Sequence, residues 1–215
     1  MSEESRVTSV AARLLLSERD ALLPALRSID VEKLVEPTCL PGWSVRDVLA
    51  HCSAALAMAA KSSWHGFSPT ENQSDVDARR TWPFDDVLVE LEAGYADTAR
   101  AIIAAEGRLD ALALGEWIHG GDVREALGLP DAYASAGVND ALVLLGDLSR
   151  LPDLNVPRTV VTLSDRGEVI LGSYDAEVSL VTDTATLFRL CAGRNADPGR
   201  YRLTGANASA FTLFN

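Results

Sequence analysis

Two carboxylates and one imidazole occur close together in the segment over residues 115–124. Glu116 precedes His119 by three residues, and Asp122 follows His119 by three. Side chains that are three or four residues apart lie on one face of an α-helix, so these three groups can approach a single point beside it. Carboxylate oxygens and imidazole nitrogens bind divalent metal ions. The spacing therefore indicates a metal site on a helix.

A second histidine, His51, lies at the matching depth of another predicted helix, in a chain with only three histidines. Two facing helices would then supply His51, His119 and a carboxylate to one cation. Such a donor set favours zinc in an open geometry, and it also suits iron(II) or nickel. The alternative is that His51 is a boundary residue of the core with a satisfied hydrogen bond, as a lone histidine beside an apolar stripe usually is.

Apolar periodicity predicts the helices that must position these residues, and helices with apolar stripes pack as a bundle. The second helix begins at Ser44, which can cap it, and Asp47 completes a capping box, so Asp47 is left out of the metal site. Residues 62–81 are polar and unpatterned, and we predict a long connection there that could lie over the site. The four predicted helices cover residues 7–28, 44–61, 83–107 and 109–127.

Four other side chains near the candidate ligands are assigned to structure or to the surface. Cys52 follows His51 directly and points about 100° away from it around the helix, so we place Cys52 in the buried stripe and not in a catalytic role. Arg124 and Glu125 are predicted to form a solvated face near the end of the fourth helix. His65 stands in a predicted loop, and we expect it to lie outside the site.

The pattern changes after about residue 137, where alternating and β-branched runs replace helical periodicity. The weakly patterned region over residues 130–137 is the predicted boundary between domains. We predict a metal-binding bundle over residues 1–130 and a small α+β domain over residues 138–215, which makes the fold class α+β, mainly α. The predicted elements of the second domain are helices over residues 140–148 and 184–192 and strands over residues 158–163, 168–171, 176–182, 201–204 and 210–214.

Composition limits the possible partners and compartment. The 215 residues carry a formal net charge of −12, which disfavours binding to nucleic acid or to an anionic membrane surface. A small molecule or a protein is the expected partner. The sequence begins without a basic, apolar signal segment and has no apolar run long enough to cross a bilayer, so we expect a cytoplasmic protein. Three widely spaced cysteines predict no disulfide framework.

Residues 38–51, Thr-Cys-Leu-Pro-Gly-Trp-Ser-Val-Arg-Asp-Val-Leu-Ala-His, join a cap, an aromatic residue and a histidine at fixed spacing. This segment resembles the start of the second bundle helix in the mycothiol-dependent maleylpyruvate isomerase family, a branch of the DinB-like four-helix metal proteins. Residues 116–128 and 178–194 are similar to that family as well. The resemblance covers nearly the whole chain. It implies a DinB-like metal-binding four-helix bundle followed by a small α+β domain, from an actinobacterial setting where mycothiol is the main small thiol.

The resemblance also implies a metal site and a reaction. In the family, a histidine of the second helix, a glutamate and a histidine four residues after that glutamate bind the metal. In this chain Gly115 stands four residues before His119, so Glu116 is the shifted counterpart. Asp122 is either a substitute ligand or an acceptor that fixes the imidazole tautomer.

The implied cofactors are zinc, or another divalent metal, and mycothiol, held as a metal-bound thiolate that adds to a small electrophile in an isomerase or thiol S-transferase reaction. Arg194 matches the region in which the family places an arginine that pairs with a substrate carboxylate; a surface arginine after a helix end is the alternative. A non-catalytic DinB-like protein that binds a metal or a small molecule is the second functional hypothesis.

Overall fold

The computed structural model describes residues 9–63 and 68–214. The chain divides into two compact units, Met1–Gly137 (unit 1) and Val138–Asn215 (unit 2). Residues 131–137, which the sequence places at a domain boundary, therefore belong to unit 1. No helix among the described residues is both long and apolar enough to span a membrane.

Unit 1 is built from α-helices whose apolar stripes face one another. Helix α2 packs against α4, and α1 packs against both α4 and α5, as expected for a bundle. Leucines that are fully buried in the core come from four of these helices, for example Leu15, Leu56, Leu91 and Leu114. The helices of unit 1 are α1 (Val10–Arg27), α2 (Val45–Ala60), α3 (Pro69–Arg79), α4 (Phe84–Ala105) and α5 (Asp110–Ala126).

The start of α2 confirms the predicted capping box. The Asp47 carboxylate accepts a hydrogen bond from the Ser44 backbone N–H at 2.9 Å, and the Ser44 hydroxyl oxygen accepts one from the Asp47 backbone N–H at 3.3 Å. These bonds satisfy N–H groups that have no partner inside the helix, so they fix the residue at which α2 begins. A fixed start determines which face of α2 presents His51, two turns further along.

The long connection predicted over residues 62–81 is wrong for Pro69–Arg79, which form α3. The helix begins with a second capping box, between Ser68 and Glu71, and has proline at its first position. Val76 is its only buried residue. A helix without an apolar stripe gives no periodic signal, which is why the pattern missed it.

The described residues of unit 2 form two α-helices and a four-stranded sheet. The strands of the sheet lie in the order β2-β1-β3-β4. Strand β1 is antiparallel to β2 and parallel to β3, and β3 is antiparallel to β4. Alternate residues of β1 are buried, which agrees with the period of two that the sequence shows. The elements are α6 (Val138–Ser149), β1 (Pro157–Leu163), β2 (Gly167–Leu171), β3 (Tyr174–Thr182), α7 (Thr184–Cys191) and β4 (Arg202–Thr204).

The strand predicted over residues 210–214 is wrong. Residues Ala208–Phe211 form a 3₁₀ turn that packs against α7, with the Phe211 ring buried. The Leu213 backbone N–H then donates to the Cys191 carbonyl at 2.8 Å, so the terminal segment is paired with a helix end and not with a strand. The segment therefore packs on α7 through the Phe211 ring, an alternative that local β-propensity does not reveal.

Candidate functional site

Two imidazole rings from different helices meet in unit 1. The ring centroids of His51 on α2 and His119 on α5 are 5.3 Å apart, and the rings are nearly perpendicular. The Trp43 ring also lies beside His51, with its centroid 5.2 Å from that of the imidazole. The structure therefore brings together the two histidines that the sequence predicts to share a site.

The imidazole ring of His51 is neutral, and one of its nitrogens makes no hydrogen bond within the described residues. Burial, together with the electrostatic effects of His119 and Arg79, lowers its pKa to about 3. Its Nδ1 atom is buried and has no hydrogen-bond partner among the described residues. A buried polar atom without a partner is costly and is uncommon in a folded protein. A neutral imidazole with such a nitrogen is the form that binds a metal ion.

His119 is held by Asp122. The Asp122 side chain is fully buried, and its Oδ2 atom lies 3.0 Å from Nδ1 of His119. An ionised carboxylate can only accept hydrogen bonds, so Nδ1 carries the proton and the lone pair stays on Nε2. Oδ1 of Asp122 accepts from the Tyr133 hydroxyl at 2.5 Å and from the Cys39 thiol at 3.0 Å. Both carboxylate oxygens are thus engaged by the protein.

Glu116 is buried one turn before His119 but faces another partner. It forms a hydrogen bond with the Cys52 thiol on α2, next to His51. Burial is the main reason that the pKa of Glu116 is raised to about 8; the Cys52 bond opposes this rise, and the nearby Glu18 adds to it. Its Oε2 atom has no hydrogen-bond partner within residues 9–63 and 68–214. Cys52 is buried as predicted, and burial raises the pKa of its thiol well above the usual range, so it is a poor nucleophile.

The candidate ligands are arranged in neighbouring pairs. His51 contacts His119, His119 contacts Asp122, and Glu116 contacts Cys52. In the part of the chain that the structure describes, no three His, Cys, Asp or Glu side chains are gathered closely enough to hold a metal ion. Imidazole and carboxylate donors suit a cation, and so do the two buried atoms that have no hydrogen-bond partner among the described residues, Nδ1 of His51 and Oε2 of Glu116. To complete a site, a carboxylate side chain would have to rotate toward the two histidines.

Arg124 corrects the predicted solvated face. Its side chain is only 6% exposed and donates to Glu18 on α1 at 2.6 Å, in a buried ion pair. Glu125, in contrast, is exposed as predicted. The pair joins residues 106 positions apart, so no local pattern could indicate it. The adjacent Gly120 and Gly121 are the sequence feature that could have indicated a close partner on this face of α5. A Cβ atom at Gly120 would lie 1.8 Å from a Glu18 carboxylate oxygen.

Sequence reasoning also missed Cys39 and Tyr133 as partners of Asp122, since both come from segments outside the helices. The remaining predicted residue, Arg194, lies in unit 2 just after α7. Its Nη1 atom donates to the Ala192 carbonyl at 2.9 Å. His65 lies outside the described residues.

Comparison with known proteins identifies the fold and the family. A family model described as the mycothiol maleylpyruvate isomerase N-terminal domain matches residues 15–129, more than half of the chain. The chain belongs to this family. No curated protein matches it significantly. Two crystal structures of the mycothiol-dependent maleylpyruvate isomerase, one of them a histidine-to-alanine mutant, align with TM-scores of 0.56 and 0.54, at 20% and 19% sequence identity. Each alignment covers 96% of this chain and 95% of the other.

The predicted family is therefore confirmed, and so is the predicted fold class, mainly helical α+β. The residues that match the family model run from within α1 to just beyond α5. They include all four candidate metal ligands, whereas Arg194 lies outside them. The histidine pair therefore lies within the residues that match the family model.

Proposed function

We propose that this chain is a mycothiol-dependent isomerase or thiol S-transferase that holds a divalent cation, zinc in the first instance, in unit 1. The observation that carries the proposal is the meeting of His51 and His119 from separate helices, with ring centroids 5.3 Å apart. Membership of the mycothiol maleylpyruvate isomerase family supports the choice of thiol. The two similar crystal structures are named for a mycothiol-dependent isomerase, which supports the reaction class.

His51 and His119 are the proposed metal ligands, and Glu116 is the proposed third. Asp122 is less suited to direct binding, because its two oxygens already accept bonds from His119, Tyr133 and Cys39. Glu116 has a buried oxygen without a partner among the described residues, so rotation of its side chain would lose no bond at that atom. Asp122 would then orient His119 from outside the coordination sphere.

The proposed reaction is addition of a thiolate to an electrophilic carbon. When bound, the cation would stabilise the thiolate form of mycothiol near neutral pH. Addition to a cis double bond leaves a single bond that can rotate, and expulsion of the same thiolate restores the double bond in the trans form. No atom is gained or lost in that sequence. In a transferase the thiol stays attached, and the neighbouring carbon takes up a proton.

The proposed substrate is a small electrophile that can bear a carboxylate, and Arg194 is the proposed group that binds it. A guanidinium presents two parallel N–H donors that match a carboxylate. In an active enzyme, Arg194→Lys should raise KM for a carboxylate substrate about tenfold while kcat changes less. We further propose a cytoplasmic location and no nucleic-acid partner, in line with the net charge of −12.

Metal analysis of the purified protein tests the site. We expect about one zinc-like ion per chain in the wild type, and loss of the ion in His51→Ala and His119→Ala. His65→Ala controls for the loss of an imidazole as such and should keep the metal. Glu116→Gln and Asp122→Asn separate the carboxylates: Glu116→Gln should abolish stoichiometric binding, whereas Asp122→Asn should weaken it by about 10- to 100-fold. Folded protein that ignores added zinc would contradict the proposal.

Non-catalytic binding of a metal or a small molecule is the second candidate function. One observation favours it: among the described residues, three metal-binding side chains do not converge. A cobalt-substituted protein distinguishes the two candidates. A thiolate-to-cobalt charge-transfer band on addition of mycothiol, together with thiol-dependent turnover of an electrophile, supports the enzyme. Cobalt binding without either signal favours the binder.

A further inference from the structure

The segment between α5 and α6 carries a tyrosine in an unusual backbone conformation. Tyr133 has φ +59°, in the left-handed region that a bulky residue rarely adopts, and its side chain is fully buried. Such a conformation persists only where the surrounding structure holds it, and it is found most often at functional sites. The segment therefore does more than connect two units.

Helix α5 is shaped to receive this tyrosine. A Cβ atom at Gly121 would lie 2.6 Å from Cδ1 of the Tyr133 ring, so the ring lies where any other residue would place its side chain. Three residues after Tyr133, the Ala136 carbonyl accepts a hydrogen bond from the Trp117 indole at 3.0 Å. A glycine and a buried tryptophan of α5 thus hold the segment in place.

The tyrosine hydroxyl reaches the carboxylate that orients His119. It lies 2.5 Å from Oδ1 of Asp122, much closer than its 3.5 Å distance to Glu125. The Cys39 thiol donates to the same oxygen. With Oδ1 engaged in this way, Oδ2 is the oxygen left to accept from Nδ1 of His119, and that is the bond observed at 3.0 Å.

We propose that Tyr133 is a positioning residue for His119. Its hydroxyl prevents the Asp122 carboxylate from rotating, so that His119 stays in the Nδ1-protonated tautomer with its lone pair on Nε2. The consequence for metal binding rests on the proposed function, whereas the consequence for the tautomer does not. The segment that carries Tyr133 is then part of the candidate site, although it contains none of the proposed ligands.

The first test uses metal-free, full-length protein. Long-range ¹H–¹⁵N correlation spectra at neutral pH distinguish the two tautomers of a histidine. We expect wild-type His119 to be Nδ1-protonated, and Tyr133→Phe to show a mixture with the Nε2-protonated form. Tyr95→Phe is the matched control, because it removes another buried phenol of unit 1 that does not contact Asp122 in the described structure. An unchanged tautomer in Tyr133→Phe, or an equal change in Tyr95→Phe, would overturn the proposal.

The second test measures metal affinity by competition with a chelator, using zinc or cobalt(II) alone. We expect Tyr133→Phe to weaken binding about tenfold and Tyr95→Phe to leave it within about twofold of the wild type, since outer partners of a ligand typically contribute 10- to 100-fold. Equal affinities for all three proteins would overturn the role in metal binding. If the wild type binds no metal, the proposed function fails, and the tautomer result alone decides the role of Tyr133.

A measurement on the wild type covers the case in which Tyr133→Phe does not fold. The hydroxyl proton of a tyrosine that donates to a buried carboxylate is shielded from water, so it should exchange slowly and give a resolved, downfield signal. We expect that signal for Tyr133. Its absence under conditions in which the Trp117 indole proton is resolved would overturn the proposal.

Discussion

At the scale of single residues, α5 combines buried charges with the space that they need. Asp122 and Arg124 are buried on this helix, and each bonds to a partner from elsewhere in unit 1. The two glycines just before them provide room for those partners, Glu18 beside Gly120 and Tyr133 beside Gly121. A buried charge is tolerated only when it is paired, so the glycines are as necessary to this arrangement as the charged residues.

Gly120→Ala should separate the buried ion pair. The new Cβ would lie 1.8 Å from a Glu18 carboxylate oxygen, so Glu18 must move away from Arg124 and leave a buried charge without its partner. Breaking a buried pair costs about 3–5 kcal/mol, and we expect a loss of that size in the free energy of unfolding of unit 1. All four tryptophans precede residue 137, so tryptophan fluorescence in a urea titration reports on this unit.

Gly146→Ala is the matched control for that substitution. Its Cβ would meet nothing closer than 3.7 Å, and alanine is favoured over glycine inside a helix, so α6 should gain up to about 1 kcal/mol, measured by circular dichroism. A Gly120→Ala protein within about 0.5 kcal/mol of the wild type would show that the Glu18–Arg124 pair tolerates displacement, against the cost expected for a buried pair.

Asp183 in unit 2 should make stability depend on acid pH. Burial alone would raise its pKa, but hydrogen bonds from Thr186 and Arg200 outweigh burial and lower the pKa below its ordinary value of 3.8. A lowered pKa means that the carboxylate stabilises the fold at pH values above 3.8, and that this contribution is lost as the pH falls through the lower value in the folded state. The carboxylate also caps the start of α7.

Asp183→Asn should therefore reduce the free energy of unfolding of unit 2 by about 1 kcal/mol at pH 7, since asparagine still caps a helix but carries no charge. The difference from the wild type should shrink as the pH falls below 3.8, so the second measurement is made at an acid pH under that value. Urea unfolding followed by circular dichroism at both pH values checks this, with the exposed Asp153→Asn as the control. An equal difference at both pH values would assign the effect to capping and not to charge.

At the scale of elements, α3 depends on polar contacts and not on an apolar stripe. Arg79 near its end donates through Nε and Nη2 to the two carboxylate oxygens of Glu90 on α4, at 2.5 and 2.9 Å. Near its start, Gln73 accepts a bond from the Trp43 indole at 3.0 Å. Because Trp43 also contacts His51, α3 is linked through one side chain to the histidine pair. Helices with little buried apolar surface are the elements that open most easily.

Arg79→Gln should loosen α3 without unfolding the bundle. The substitution removes a bidentate, charge-assisted contact from a side chain that is only 12% exposed. We expect amide hydrogen exchange over residues 69–79 to become about tenfold faster, which corresponds to about 1.4 kcal/mol, while α1 and α5 keep their protection. The neighbouring Arg80→Gln is the control, because its ion pair with Asp77 is exposed. Equal exchange in the two variants would contradict the anchoring role of Arg79.

At the scale of the whole molecule, the boundary between the two units lies after a structured segment. Residues 131–137 look like a linker in the sequence because they lack periodicity, yet they carry a fully buried tyrosine and accept a tryptophan hydrogen bond. Ser135 in the same segment lies 3.4 Å from the Glu18 carboxylate. Unit 1 is therefore complete only when this segment is included.

Replacing residues 131–136 with a Gly-Ser linker of the same length should destabilise unit 1 in the full chain. The loss of the buried Tyr133 ring and of the Trp117 hydrogen bond should lower the free energy of unfolding by about 3 kcal/mol. Tryptophan fluorescence during urea unfolding measures the change. The same exchange at residues 152–154, a 3₁₀ turn without buried residues, should leave it unaltered. Unchanged stability in the first variant would mean that residues 131–136 are a true linker.

The sequence by itself determined the helices of unit 1 other than α3, the capping box of α2, most strands of unit 2 and the two histidines that meet. These features depend on periodicity and on contacts within a few residues, so they can be predicted from the sequence alone. The same local reasoning assigned Asp47 to a cap and Cys52 to the core, and the structure confirms both. The resemblance to a known family came from one such local segment, residues 38–51.

Only the tertiary structure decided which buried groups face one another. Glu18 pairs with Arg124 across 106 residues, and Cys39 reaches Asp122 across 83. It also turned Glu116 toward Cys52, and Asp122 toward His119 and Tyr133. The physical reason is that the period of a helix sets the face on which a side chain lies, whereas its partner depends on how distant elements pack, and no short stretch of sequence contains that information.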